Sequence, residues 1–122
     1  MSLSVKVCGI TQKVDADFAL QSGASRLGFI LYEKSPRNIE LDEISNISKS
    51  LDIEPCNMVG VQVEPGIDAL QEMINFGFGS IQLHFSYDFP VDILKKWSDV
   101  VGPDKLWLAP KLPPELGFPK SI

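Results

Sequence analysis

The chain has 122 residues, 44% hydrophobic and 22% charged, with a net charge of −5 at pH 7. That is enough apolar chain for one domain with a true core over residues 1–122, and an acidic balance without a basic stripe argues against a nucleic-acid partner. No segment approaches the roughly 18 apolar residues of a membrane span, and the N-terminus lacks a signal peptide's basic and apolar regions, so no membrane association and a cytoplasmic location are expected.

Taken in order, the first strand runs from Ser4 to Cys8 and breaks at Gly9. Thr11 then offers a helix N-cap, with Asp15 in the first turn where the helix dipole favours a negative charge. The helix covers Lys13 to Gln21, with Val14, Phe18, Ala19 and Leu20 expected to face the sheet and Gly23 in the helix-stopping position. A second strand, Arg26 to Leu31, carries an apolar run after Arg26, as in a sheet covered on both faces. The irregular loop Tyr32 to Asn38 follows, and Leu41, Ile44, Ile47 and Leu51 repeat at helical spacing.

The third strand is Met58 to Val63. Pro65-Gly66 leads into a third helix with Ile67, Leu70 and Ile74 on one face. The fourth strand is Ser80 to His84, and Asp88-Phe89-Pro90 opens a fourth helix whose buried stripe is expected to be Val91, Leu94 and Trp97. A fifth strand from Lys105 to Ala109 runs into a proline-rich connector from Pro110 to Pro119.

The pattern is βα four times, then a strand. Gly23 to Ile30 and Gly77 to His84 match in outline: a glycine stop, small residues, then an apolar strand. Such self-similarity marks repeated βα units. The strand ends fall roughly 25 residues apart, and eight such units would make about 200 residues, the lower end for a (β/α)8 barrel. Two architectures fit: an open doubly wound parallel sheet, complete as it stands, or the first part of a barrel. Pattern alone leans to the open sheet, because a partial barrel leaves strand edges unpaired.

Three places carry chemistry-bearing residues. Cys8 ends the first strand, where α/β folds keep reactive groups, and a helix N-terminus next to it would favour a thiolate able to act as a base; its structural alternative is a small buried hydrophobe. Cys8 and Cys56 lie far apart without metal-ligand spacing beside a single histidine, so neither a disulfide framework nor a metal site is expected. Arg37 follows the stiffening Pro36 in the loop and could grip a carboxylate bidentately or simply sit in solvent. Gln82 and His84 lie on the fourth strand, where a lone histidine is more often structural than catalytic.

Lys6-x-Cys8-Gly9-Ile10-Thr11, Gly28-Phe29-x-x-Tyr32-x-Lys34-Ser35-Pro36-Arg37 and Ile81-Gln82-Leu83-His84, in that order, resemble the phosphoribosylanthranilate isomerase family. The resemblance is clear over about residues 5 to 84 and weaker through Leu106 to Ala109. It implies the TIM barrel, this chain covering about the first four βα units plus strand five, an incomplete barrel. It also implies an Amadori rearrangement of N-(5-phosphoribosyl)anthranilate in tryptophan biosynthesis, with a small phosphosugar substrate and no cofactor. Cys8 matches the base and Arg37 the clamp on the anthranilate carboxylate, while Gln82 and His84 line the pocket. Phe85-Ser86 departs from the glycine and acidic residue that usually follow.

The family's general acid, an aspartate ending strand six, and its phosphate-binding loops after strands seven and eight fall outside these residues. Asp88, Asp92, Asp99 and Asp104 are poor substitutes. The expectation is therefore a family member whose C-terminal half is absent and which is inactive as 122 residues alone. The alternatives are a non-catalytic half-barrel assembling with itself as a homodimer or with a partner chain, a flavodoxin-like module, and a related barrel acting on another phosphosugar.

Overall fold

Five apolar runs pair side by side in the order in which they occur in the chain. The computed structural model describes residues 4–111. Its elements are β1 (Lys6–Val7), α1 (Lys13–Gln21), β2 (Arg26–Ile30), α2 (Leu41–Leu51), a 3₁₀ turn (Pro55–Asn57), β3 (Met58–Val63), α3 (Ile67–Phe76), β4 (Ser80–Ser86), α4 (Val91–Val101) and β5 (Leu106–Lys111). All four strand pairings are parallel, in the sheet order β1-β2-β3-β4-β5. Of the proline-rich connector, Pro110 and Lys111 belong to β5 and the rest lies outside the described residues.

That order decides between the two architectures. Each crossover moves to the next strand in the same direction, and parallel crossovers are right-handed, so every helix falls on one face. A doubly wound sheet reverses its strand order and covers both faces; this one does neither. It is a five-stranded parallel half-barrel, an incomplete TIM barrel. The core lies between sheet and helices, where Leu27, Phe29, Met58, Ile81 and Leu83 meet Ala16, Ala19, Ile44, Ile47, Leu70, Met73 and Trp97. Trp97 stacks on Phe89 at 5.1 Å and meets Phe85 edge-on at 6.0 Å.

Local signals explain the helix ends. Glu40 and Glu43 form a reciprocal capping box at the start of α2. After α1, Ala24 N donates to Ala19 O and Gly23 N to Leu20 O, with Gly23 at φ +103, a Schellman stop. Thr11 is not the cap of α1: the N-cap is Gln12, whose side chain makes no capping bond. Asp15 does lie in the first turn.

Two expected buried stripes are corrected. Val14 is 65% and Phe18 73% exposed, whereas Ala19 and Leu20 do pack inward as expected, joined by Ala16. Small residues bring α1 close to the strands, and the rotation that seats them turns Val14 and Phe18 outward past the free edge of β1. At the other end of the sheet, Val91 is exposed although Leu94 and Trp97 pack inward, and Leu108 of β5 is exposed too. The displaced apolar side chains thus cluster at the two edge strands, which lack an outer neighbour among the described residues. Trp97→Ala is expected to cost about 3–5 kcal/mol and Phe18→Ala less than about 0.5 kcal/mol in urea denaturation of the chain. The reverse ranking would contradict this packing.

Candidate functional site

The concave face carries the strand positions that alternate away from the helices. On β1, β2, β4 and β5 these include Lys6, Arg26, Ser80, Gln82, His84 and Trp107. Lys6 Nζ donates to Gln82 Oε1 at 2.7 Å, and Arg26 Nη1 donates to Ser80 Oγ at 3.2 Å. Both cations also lie over the Trp107 ring, at 5.3 and 5.7 Å from its centroid. No Asp or Glu occupies a concave position of the five strands. The face is therefore cationic in a chain that is acidic overall.

At the C-terminal rim, the chain leaves β1 through Cys8 and turns at Gly9, which has φ +82. The Gly9 and Ile10 amides both donate to the Gly28 carbonyl, at 3.0 and 3.2 Å. Those donors are spent on the backbone and are not free to solvate a thiolate. Gly28 on β2 makes room for the cysteine, since a Cβ there would sit 2.8 Å from Cys8 Sγ. Cys8 is exposed, which excludes the buried-hydrophobe alternative.

The loop after β2 brings Arg37 to the same place. Ser35 N donates to Tyr32 O and Asn38 N to Ser35 O, while Ser35 Oγ accepts from Arg37 N at 3.2 Å. Ile39 N returns to Ile30 O at 2.9 Å, which fixes the far end of the loop on β2. The Arg37 side chain then lies across Gly9: a Cβ there would be 2.8 Å from Nη1 and 3.1 Å from Cζ. Arg37 itself is exposed, with its guanidinium beside the residue that follows the cysteine. The Cys8 thiol and the Arg37 guanidinium thus share one rim.

His84 and Gln82 stand on β4, with 3.0 Å between Gln82 Nε2 and His84 Nε2. His84 does not end its strand, because β4 continues to Ser86. There the Glu64 carboxylate accepts from Ser86 N at 2.9 Å and Ser86 Oγ at 3.1 Å. Asp88, Asp92, Asp99 and Asp104, the poor substitutes for an acid, are all exposed and lie at or beyond the start of α4. No group of three or more His, Cys, Asp or Glu that could hold a metal ion occurs among the described residues. No helix of the described residues is long and apolar enough to cross a membrane.

Sequence reasoning gave no role to Lys6, Arg26 or Trp107. The available signal was strand alternation, which puts two cations on one face of adjacent strands at paired positions, Lys6 opposite Arg26.

Residues 5–101 match the family model described as N-(5'phosphoribosyl)anthranilate (PRA) isomerase. An N-(5'-phosphoribosyl)anthranilate isomerase from Aquifex aeolicus is 36% identical over 104 residues, covering 85% of this chain and 48% of the relative. The dimeric phosphoribosylanthranilate isomerase of Thermotoga maritima, crystallised as monomers, superposes with a TM-score of 0.68 at 30% identity, over 88% of this chain and 52% of that one. A phosphoribosylanthranilate isomerase in complex with reduced 1-(o-carboxyphenylamino)-1-deoxyribulose 5-phosphate gives 0.67 at 30% identity, over 82% and 50%. The chain spans 36% to 48% of the length of the first curated relatives it matches.

Gly9→Ala is expected to destabilise the chain by about 1 kcal/mol from left-handed strain, with the exposed guanidinium moving aside at little further cost. Gly23→Ala, with open space around it, should cost only the strain, about 1 kcal/mol. Removing Arg37 in the Gly9→Ala background should therefore change little in a urea double-mutant cycle; a coupling well above about 0.5 kcal/mol would show that the guanidinium is held on Gly9 and cannot move aside.

Proposed function

The chain belongs to the N-(5'-phosphoribosyl)anthranilate isomerase family, and we propose that it supplies the base and the carboxylate clamp of that reaction. The observation that carries this reading is the packing of the Arg37 guanidinium against Gly9, next to the exposed Cys8. An acid protonates the furanose ring oxygen, the C1–O bond breaks and an imine forms. The Cys8 thiolate then removes the proton from C2, and the resulting enolamine tautomerises to the aminoketose. Two protons are added, at the ring oxygen and at C1, and two are removed, from C2 and from its hydroxyl as the ketone forms, so substrate and product are isomers. Arg37 holds the anthranilate carboxylate bidentately and so orients the ring for that transfer. Gln82 and His84 line the pocket.

The acid and the phosphate cradle belong to the portion of the family's length that these residues do not cover. The 122 residues therefore form one domain that is inactive by itself, working in the cytoplasm on a small phosphosugar. Two exposed free thiols, Cys8 and Cys56, accord with a reducing compartment.

A second reading is a non-catalytic half-barrel that pairs through its edges. The exposure of Val14, Phe18 and Leu108 beside the outer edges of β1 and β5, which have no neighbour among the described residues, favours pairing with something. The cationic concave face disfavours closure on a second copy, which would enclose Lys6 and Arg26 twice over without a carboxylate. A partner whose inward strand positions carry acidic residues fits that face better than a homodimer.

The test is a chimera in which residues 5–101 replace the matching stretch of the Aquifex aeolicus relative, assayed by the disappearance of N-(5-phosphoribosyl)anthranilate. Cys8→Ser should lower kcat by about 100-fold or more with little change in KM, whereas Arg37→Ala should act mainly by raising KM. Residues 1–122 alone should give no turnover. Small, equal effects from the two substitutions would refute the assigned roles, and a 27 kDa species in sedimentation of the chain, twice its 13.5 kDa, would favour self-pairing.

A further inference from the structure

Lys6, Gln82 and His84 form a chain of contacts across the concave face, from β1 to β4. Lys6 Nζ lies 2.7 Å from Gln82 Oε1, and Gln82 Nε2 lies 3.0 Å from His84 Nε2. The proton arrangement follows from what each group can do. An ammonium has donors only, so the oxygen of the Gln82 amide must face it. The other end of that amide is an NH2, again a donor only, and it faces the imidazole. His84 Nε2 can complete this contact only as an acceptor. In the neutral ring the single proton must then sit on Nδ1.

We propose that Lys6 is a positioning residue that, acting through Gln82, locks His84 in the Nδ1–H tautomer. Lys6 is itself held, half-buried, between the amide and the face of Trp107. Gln82 cannot flip without setting an NH2 against the ammonium. The order of the relay is thus written by one fixed charge at its start. Its consequence is that the ring has a committed acceptor nitrogen and one donor, Nδ1–H, that has no partner among the described residues. For the site, the use of that donor rests on the isomerase reading: it hydrogen-bonds an oxygen of the bound phosphosugar, and the ring does not compete with Cys8 as a base. The tautomer itself does not rest on that reading.

The sequence has one histidine, so the experiment needs no assignment. Long-range 1H–15N correlation spectra of the 122-residue chain, recorded well above the ordinary histidine titration range, report both ring nitrogens. Nδ1 is expected to read as protonated and Nε2 as pyridine-like, the opposite of the preference of free histidine. Lys6→Met frees the amide to flip, and the ratio of Nδ1–H to Nε2–H should fall about tenfold. Gln82→Glu presents only acceptors and should put a proton on Nε2. An Nε2–H ring in the unsubstituted chain overturns the proposal, as does a Lys6→Met ratio unchanged in a protein with native circular dichroism. If Lys6→Met does not fold, the Gln82→Glu spectrum decides: an unprotonated Nε2 there overturns the proposal, a protonated one upholds it. An inactive chimera with the predicted tautomer would remove the isomerase reading and leave this one standing; an active chimera with the wrong tautomer would do the reverse.

Discussion

Parallel pairing in unbroken chain order is the constraint on which the rest depends. Because each right-handed crossover adds the next strand on the same side, the helices share one face and the other is left to side chains. The same pairing puts every strand's C-terminal end on one rim. Cys8 after β1 and the Arg37 loop after β2 then meet there through Gly9, and the β4 pair of Gln82 and His84 shares the concave face with Lys6. A sheet with reversed order would have split these groups between two faces.

The elements were legible because they are written locally. The apolar residues at Leu27–Ile30, Met58–Val61 and Ile81, Leu83 and Phe85 mark three of the strands, and Gly23 stops α1 as its position implied. Helix faces were less legible. Val14 and Phe18 repeat at helical spacing, yet periodicity cannot say which neighbour a stripe will find. Ala16 and Ala19 won the sheet because small side chains allow close approach. At the other edge of the sheet Val91, in the first turn of α4, stays exposed while Leu94 and Trp97 take the inward positions.

The candidate site divides similarly. Cys8, Arg37, Gln82 and His84 could be named from residue type and motif, but nothing local joins them. The contact of Arg37 with Gly9 crosses 28 positions and depends on how the loop after β2 folds back to Ile30. The contact of Lys6 with Gln82 crosses 76 positions. Those two long-range contacts bring a guanidinium beside a thiol and link an ammonium, an amide and an imidazole in one chain. The capping of α1 was misread at Thr11 because a plausible cap residue one position early looks the same in sequence as the true boundary at Gln12.

The central claim is that the Cys8 thiolate is the base that works beside the Arg37 clamp. The most direct test is alkylation of the chimera with iodoacetamide, with peptide mapping to separate Cys8 from Cys56. The account predicts that turnover is lost in step with modification of Cys8, and that reduced 1-(o-carboxyphenylamino)-1-deoxyribulose 5-phosphate protects both the thiol and the activity. Full turnover by protein whose Cys8 is completely alkylated would contradict it.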